Sequence, residues 1–317
     1  MDVFYLGSKW KYRYLSCAVS ALMSIPAFAQ WQPFKWAEFR QNKATVLKAA
    51  ILLPVELDGI RCTMQLDTGV GLSLLYRNST PSRYSKSLDA ETIAIKKFSM
   101  GRETSANVFQ LKYEKANSAK DCGPKGDRIV GTIGNDFFAR GTLSLDLAAG
   151  RYQFNRGPFR YLSIDRSKAL DIEVIKTPKW GVFPIVKLAI GDVERKMLFD
   201  TGSASMGLIV FLRKNWLDLV GLQDVNEVTP IYIARFGQQV PCYTAPISHA
   251  VSLGKTALGA VKSATYCFDP RDSHGDDQVF GILGLAPFYQ SIVSVDYVSE
   301  KMYVEAATFN LQTDGRH

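Results

Sequence analysis

Two aspartates, Asp67 and Asp200, stand in nearly the same surroundings 133 positions apart. The first lies in Met64-Gln65-Leu66-Asp67-Thr68-Gly69-Val70-Gly71, the second in Met197-Leu198-Phe199-Asp200-Thr201-Gly202-Ser203-Ala204. In each, a largely apolar run delivers a carboxylate to a tight turn. A carboxylate at the end of such a run is costly unless partnered, which points to chemistry rather than to packing. Gly69 and Gly202 let the backbone bend and approach closely. The turn N–H groups and the Thr68 and Thr201 hydroxyls are donors for the acid. Two carboxylates brought face to face cannot both ionise cheaply, so they share a proton and can activate a water. One Asp-Thr-Gly alone reads equally well as an ordinary turn between strands.

The duplication extends well beyond the turns. Val55, Leu57 and Met64 align with Leu188, Ile190 and Met197 at the same offset. Downstream, Ile129-Val130-Gly131-Thr132-Ile133-Gly134 matches Val279-Phe280-Gly281-Ile282-Leu283-Gly284 at an offset of 150. Leu143-Ser144-Leu145-Asp146 continues that register onto Val293-Ser294-Val295-Asp296. Two long copies, each with one aspartate turn, read as a duplicated unit with two halves facing each other.

On these residues the chain resembles the aspartic proteases, in their pepsin-like two-lobed (tandem retropepsin-like) arrangement. The similarity covers about residues 50–155 and 180–305. It implies a mainly β, two-lobed fold of closed acid-protease barrels, with an active-site cleft between the lobes. It also implies an aspartic endopeptidase with Asp67 and Asp200 as the catalytic dyad. Thr68, Gly69, Thr201, Gly202 and Ser203 would shape the active-site turns, with the threonines bonding across the lobe interface. No metal and no cofactor are implied, and the partner is a peptide or protein substrate. Both acids lie in one chain, so a monomer is expected. The Asp67 copy departs from the family pattern at Gln65, where an apolar residue is usual, and at Val70-Gly71. Ser203 can orient Asp200, whereas Val70 offers Asp67 no equivalent. The alternative reading is a non-catalytic two-lobed module that keeps the cleft and binds peptides or a protein.

The elements that must position these acids are strands. Ile51 to Leu57, an Asp58-Gly59 turn and Ile60 to Leu66 read as a hairpin running into Asp67. Phe183 to Ile190, Gly191-Asp192 and Val193 to Phe199 repeat it before Asp200. Further hairpin turns are expected at Gly101 and Gly254. One amphipathic helix is expected over 211–220, stopped by Gly221. The first half has 30 residues between its aspartate turn and the Gly101 hairpin; the second has 49 before its own. In two-lobed relatives the covering flap comes from the first lobe, which is too short here. The hairpin 231–243, with Arg235, Phe236, Gly237 and Gln238 at its tip, is therefore expected to serve, the alternative being an ordinary surface hairpin.

Residues 1–29 read as a signal peptide: a basic start, an apolar run over 14–28, and Ala27-Phe28-Ala29 before Gln30. The run is short for a membrane span, which needs about 20 residues, leaving an uncleaved N-terminal anchor as the one membrane alternative. The expected units are then 30–165 and 166–317, and the location is periplasmic or extracellular. Removing Lys9, Lys11, Arg13 and Asp2 takes the net charge from +8 to +6. The remaining basic residues are scattered, which argues against nucleic acid. Of the five cysteines, four follow the leader, Cys62, Cys122, Cys242 and Cys267. Three pairings are possible, and one bridge per half is the simplest. The three histidines show no metal-ligand spacing, and there is no Gly-x-Ser-x-Gly elbow. Residues 31–49, rich in aromatic and basic side chains, fit either a packed arm or a pro-segment.

Overall fold

A computed structural model describes residues 31–41, 44–77, 91–112, 122, 129–159, 168–235, 238–268 and 278–307. The expected signal peptide and the 165/166 boundary lie outside the described residues. The chain is mainly β. In the first half the strands are β1 (Gln32–Pro33), β2 (Lys35–Gln41), β3 (Ala44–Leu57), β4 (Ile60–Leu66), β5 (Leu74–Tyr76), β6 (Thr92–Met100), β7 (Glu103–Lys112), β8 (Ile129–Ile133), β9 (Gly141–Asp146) and β10 (Arg151–Arg156). A single helical turn, α1 (Asn135–Phe138), follows β8. The second half has β11 (Leu170–Thr177), β12 (Gly181–Ile190), β13 (Val193–Phe199), β14 (Leu208–Val210), helix α2 (Arg213–Val220), β15 (Ile231–Arg235), β16 (Gln238–Pro246), β17 (Val251–Leu253), β18 (Thr256–Ala257), β19 (Ser263–Cys267), β20 (Gly281–Leu283), β21 (Ser291–Asp296) and β22 (Lys301–Ala306).

Alternation explains the strands. Along β3, Ile51, Leu53, Val55 and Leu57 are buried while the residues between them face outward. Each fully buried aliphatic side chain of this kind contributes about 1.5–3 kcal/mol. The Asp58-Gly59 turn has positive φ at both residues, 47° and 84°, the geometry that suits a two-residue hairpin. The Gly101 and Gly254 turns also form. Helix α2 stops where expected: Gly221 adopts φ 73° and returns its N–H to Leu217 O.

The duplication is written in the hydrogen bonding. β4 runs parallel to β8, and β13 parallel to β20. β8 then lies antiparallel to β5, as β20 does to β14. β5 runs parallel to β7, and β14 to β19. The glycines of the hydrophobic-Gly blocks sit at these crossings. A methyl group on Gly131 would lie 2.1 Å from Leu74 O, and one on Gly281 1.9 Å from Ile209 O.

Two sheets result, one of seven strands in the first half and one of fifteen that runs through both halves. The halves join at the antiparallel pair β9–β21, where Ser144 faces Ser294 with their hydroxyls 2.7 Å apart. Those serines are matched positions of the repeat, so an approximate twofold axis passes between them.

Of residues 31–49, the described stretches 31–41 and 44–49 pair into the sheets. β1 pairs with β10, and β2 with β3. Strand β3 begins at Ala44, seven residues before the expected start at Ile51. The extension is held by packing: Trp36 meets Tyr289 edge-on at 5.8 Å, and Lys48 Nζ lies 4.3 Å from the Tyr289 ring centre.

Candidate active site

Asp67 and Asp200 directly follow β4 and β13. Each turn is anchored by its own crossing strand: Asp67 N–H donates to Ile133 O at 3.1 Å, and Asp200 N–H to Leu283 O at 3.0 Å. Each carboxylate then takes an N–H from inside its turn. Gly69 N donates to Asp67 Oδ1 at 2.9 Å, and Gly202 N to Asp200 Oδ1 at 2.7 Å.

The turns face one another. Thr68 N donates to Thr201 Oγ1, and Thr201 N to Thr68 Oγ1, both at 3.0 Å. The Thr68 hydroxyl donates to Phe199 O at 2.7 Å and the Thr201 hydroxyl to Leu66 O at 3.2 Å. Both threonines are fully buried, and all four bonds join one half to the other. This clamp places each carboxylate against the other turn's glycine. A methyl group on Gly69 would lie 2.5 Å from Asp200 Oδ1, and one on Gly202 2.5 Å from Asp67 Oδ1. Glycine is thus required in both turns by the approach of the opposite acid. Six of the expected site residues, Asp67, Thr68, Gly69, Asp200, Thr201 and Gly202, come together here, and Ser203 joins them.

The surroundings of the two acids differ. The Ser203 hydroxyl donates to Asp200 Oδ2 at 2.8 Å. Val70, its counterpart, has no polar side-chain atom. Instead Gln65 Nε2 approaches Asp67 Oδ2 at 3.4 Å. Asp200 is buried and Asp67 half-buried.

A polar scaffold of Ser73, Asn135 and Asp136 stands behind the Asp67 turn, where the repeat puts Met206, Leu285 and Ala286 behind Asp200. Asn135 Nδ2 donates to Thr68 O at 2.6 Å and approaches Val70 O at 3.3 Å. Its Oδ1 accepts from the Tyr297 hydroxyl, in the other half, at 2.5 Å. Burial pushes the Tyr297 hydroxyl far above the ordinary phenol range, which keeps it a donor. Asp136 Oδ1 accepts from the Ser73 hydroxyl at 2.6 Å and from Ser73 N at 2.8 Å. Burial raises the Asp136 carboxyl above its ordinary value, with the Ser73 bonds opposing. The repeat held the signal for Asn135: a polar residue follows Gly134 where Leu285 follows Gly284.

Gly71, a departure in sequence, is explained by contact between the halves. A methyl group there would lie 1.9 Å from Trp180 O and 2.8 Å from the Phe183 ring. The β11–β12 hairpin of the second half thus presses on the Asp67 turn. Reciprocally, Tyr289, on which Trp36 and Lys48 of the first half pack, donates its hydroxyl to Ala204 O at 2.9 Å beside the Asp200 turn.

The expected hairpin 231–243 forms, with β15 paired to β16 from Ile231–Cys242 to Arg235–Gln238. Phe236 and Gly237, and the side chains of Arg235 and Gln238, lie outside the described residues. The disulfide Cys242–Cys267 ties its base to β19, and Cys62–Cys122 forms in the first half, one bridge per half as expected. Ile231 and Thr244, at the base of the hairpin, line a cavity of about 410 Å³ with Ser205 and Met206, which follow the Asp200 turn. Among the described residues no cluster of three or more His, Cys, Asp or Glu side chains could hold a metal ion, and no helix is long and apolar enough to cross a membrane. No protein-family model matches this chain, and no curated protein sequence matches it significantly.

Proposed function

We propose that the protein is an exported aspartic endopeptidase with the two-lobed acid-protease fold, acting as a monomer through Asp67 and Asp200. The observation that carries the reading is the Thr68–Thr201 clamp, which sets each carboxylate against the other turn's glycine. Two acids held so close in a partly dry site cannot both be charged cheaply, so one proton is shared. The ionised partner takes a proton from a water between them. That water attacks the peptide carbonyl, and the protonated partner donates to the carbonyl oxygen and stabilises the tetrahedral intermediate. Gly69 N–H and Gly202 N–H hold the carboxylates in place through this cycle. The hairpin over 231–243 serves as the flap, its base fixed by Cys242–Cys267. The two disulfides favour an oxidising compartment.

The test uses the chain from Gln30 onward, incubated with an unfolded protein from about pH 3 to about pH 7, the range in which a shared proton can work. Wild type should cleave. Asp67→Asn and Asp200→Asn should each abolish cleavage while remaining folded, and the double variant should be no worse than either, because the pair acts as a unit. A wild type that cleaves nothing at any pH yet still binds peptides would sink the enzyme and leave the binding module in its place.

A further inference from the structure

We infer that Gln65 is the positioning residue for Asp67, its side-chain amide standing in for the hydroxyl that Ser203 supplies to Asp200. The inference rests on the proposed dyad for its catalytic meaning, though not for its geometry.

At Asp200 the two oxygens have distinct donors. Oδ1 takes Gly202 N–H at 2.7 Å and Oδ2 takes the Ser203 hydroxyl at 2.8 Å. At Asp67 the first bond is kept, from Gly69 N–H at 2.9 Å. The residue that should give the second is Val70, which cannot donate. Gln65 Nε2 lies 3.4 Å from that same oxygen, Oδ2. The donor has thus moved from after the turn to before it.

Strand geometry permits the move. Side chains two apart on a strand share a face. Met64 and Leu66 point into the core with no exposure, so Gln65 takes the opposite face of β4, and its amide reaches Asp67 one position beyond the strand's end. On β13 the matching place belongs to Leu198. The pair Leu198 and Ser203 in one half therefore corresponds to Gln65 and Val70 in the other: one apolar side chain and one donor each time, in exchanged places. The two departures noted in sequence are a single compensated change. Toward ionised Asp67 the amide presents nitrogen, because its oxygen would meet a carboxylate oxygen.

The contact is longer than the usual N–H···O range of about 2.7–3.2 Å. Catalytic hydrogen bonds are often loose before substrate binds and tighten in the complex. A glutamine arm also has more torsional freedom than a serine hydroxyl. Turnover should accordingly depend on how well Gln65 holds Asp67. The acid that faces Asp67 across the turns is Asp200; Asp136, behind the turn, is occupied by Ser73.

The experiment compares wild type, Gln65→Met, Gln65→Leu and each of these combined with Val70→Ser. Methionine keeps the length without the donor, and leucine copies the second half. Both single variants should lower kcat roughly tenfold, the effect of about 1.4 kcal/mol lost from the transition state, with KM within about twofold. Adding Val70→Ser should restore most of kcat, which a purely structural role for Gln65 would not allow. A second arm does not need cleavage. In the Asp200→Asn background, the Asp67 carboxyl carbon is titrated by ¹³C NMR. Losing a donor to the charged form should raise the midpoint, and Val70→Ser should bring it back. Unchanged kcat and an unchanged midpoint in folded Gln65→Met overturn the inference while leaving the protease standing. If wild type does not cleave, the proposed function falls, and the NMR midpoint alone decides whether Gln65 positions Asp67.

Discussion

Thr68 and Thr201 each accept the other's backbone N–H, and each donates its hydroxyl to the carbonyl just before the opposite aspartate. One side chain therefore satisfies two buried groups of the other half. Replacing either threonine by valine keeps the shape and orphans an N–H and a carbonyl. Each orphan costs about 1–3 kcal/mol, so Thr68→Val and Thr201→Val should each lose roughly 2–6 kcal/mol of stability in urea unfolding. Thr→Ser at the same sites should cost far less, because the hydroxyl remains. Equal losses for serine and valine would show that packing, not the reciprocal bonds, holds the turns together.

Gly71 offers a second test of contact between the halves. A methyl group there would sit 1.9 Å from the Trp180 carbonyl oxygen, a backbone atom that cannot swing aside. Gly71→Ala should cost about 1–3 kcal/mol through overpacking. It should also lower cleavage, because the displaced turn carries Asp67. The matched position in the second half already holds Ala204, fully buried, so the demand for glycine is specific to the first turn. A melting temperature unchanged in Gly71→Ala would mean that the β11–β12 hairpin does not press on this turn in solution.

Much of this site is legible in the sequence because the repeat compares the chain with itself. The aspartate turns, the hydrophobic-Gly crossings, the Asp58-Gly59 and Gly101 hairpins, and helix α2 with Gly221 all rest on local pattern. What stayed hidden depends on distant partners. Ser144 meets Ser294 150 positions away, and no local periodicity announces a sheet shared by both halves. The early start of β3 at Ala44 is stabilised by Tyr289, far along the chain. Gln65 departs from the family pattern in sequence, and only the fold brings its amide to Asp67 Oδ2. Asn135 gains its role only when Tyr297 is placed behind it.

Asp136 makes stability depend on pH. Burial raises its carboxyl above the ordinary carboxylate value, against the opposing Ser73 bonds. An acid that is easier to protonate folded than unfolded favours the folded chain while it is protonated. Stability is then lost as pH rises from the ordinary carboxylate value through the raised one. Asp136→Asn keeps an oxygen for Ser73 and never ionises. Its melting temperature relative to wild type should therefore climb as pH rises through that window and level off above it. A difference that stays flat with pH would remove Asp136 as the cause.

The hairpin over 231–243 gives the last prediction. Its base is fixed twice, by the pairing of β16 with β19 and by Cys242–Cys267. Val240 and Cys242 are buried, while Tyr232 and Gln239 are exposed. The anchored part belongs to the core, and Gln239, where the outer part begins, is exposed. Replacing Arg235–Gln239 by two glycines removes the outer part and leaves Val240 and the disulfide untouched. If the hairpin closes over substrate, it excludes water and orients the peptide only in the complex. Its shortening should then cut kcat/KM by roughly tenfold or more, about 1.4 kcal/mol of transition-state binding, with the melting temperature almost unmoved. Cleavage at the wild-type rate would reduce the segment to a surface hairpin. A large fall in melting temperature would show instead that the outer strands carry stability. In that case the loss of activity would say nothing in favour of closure.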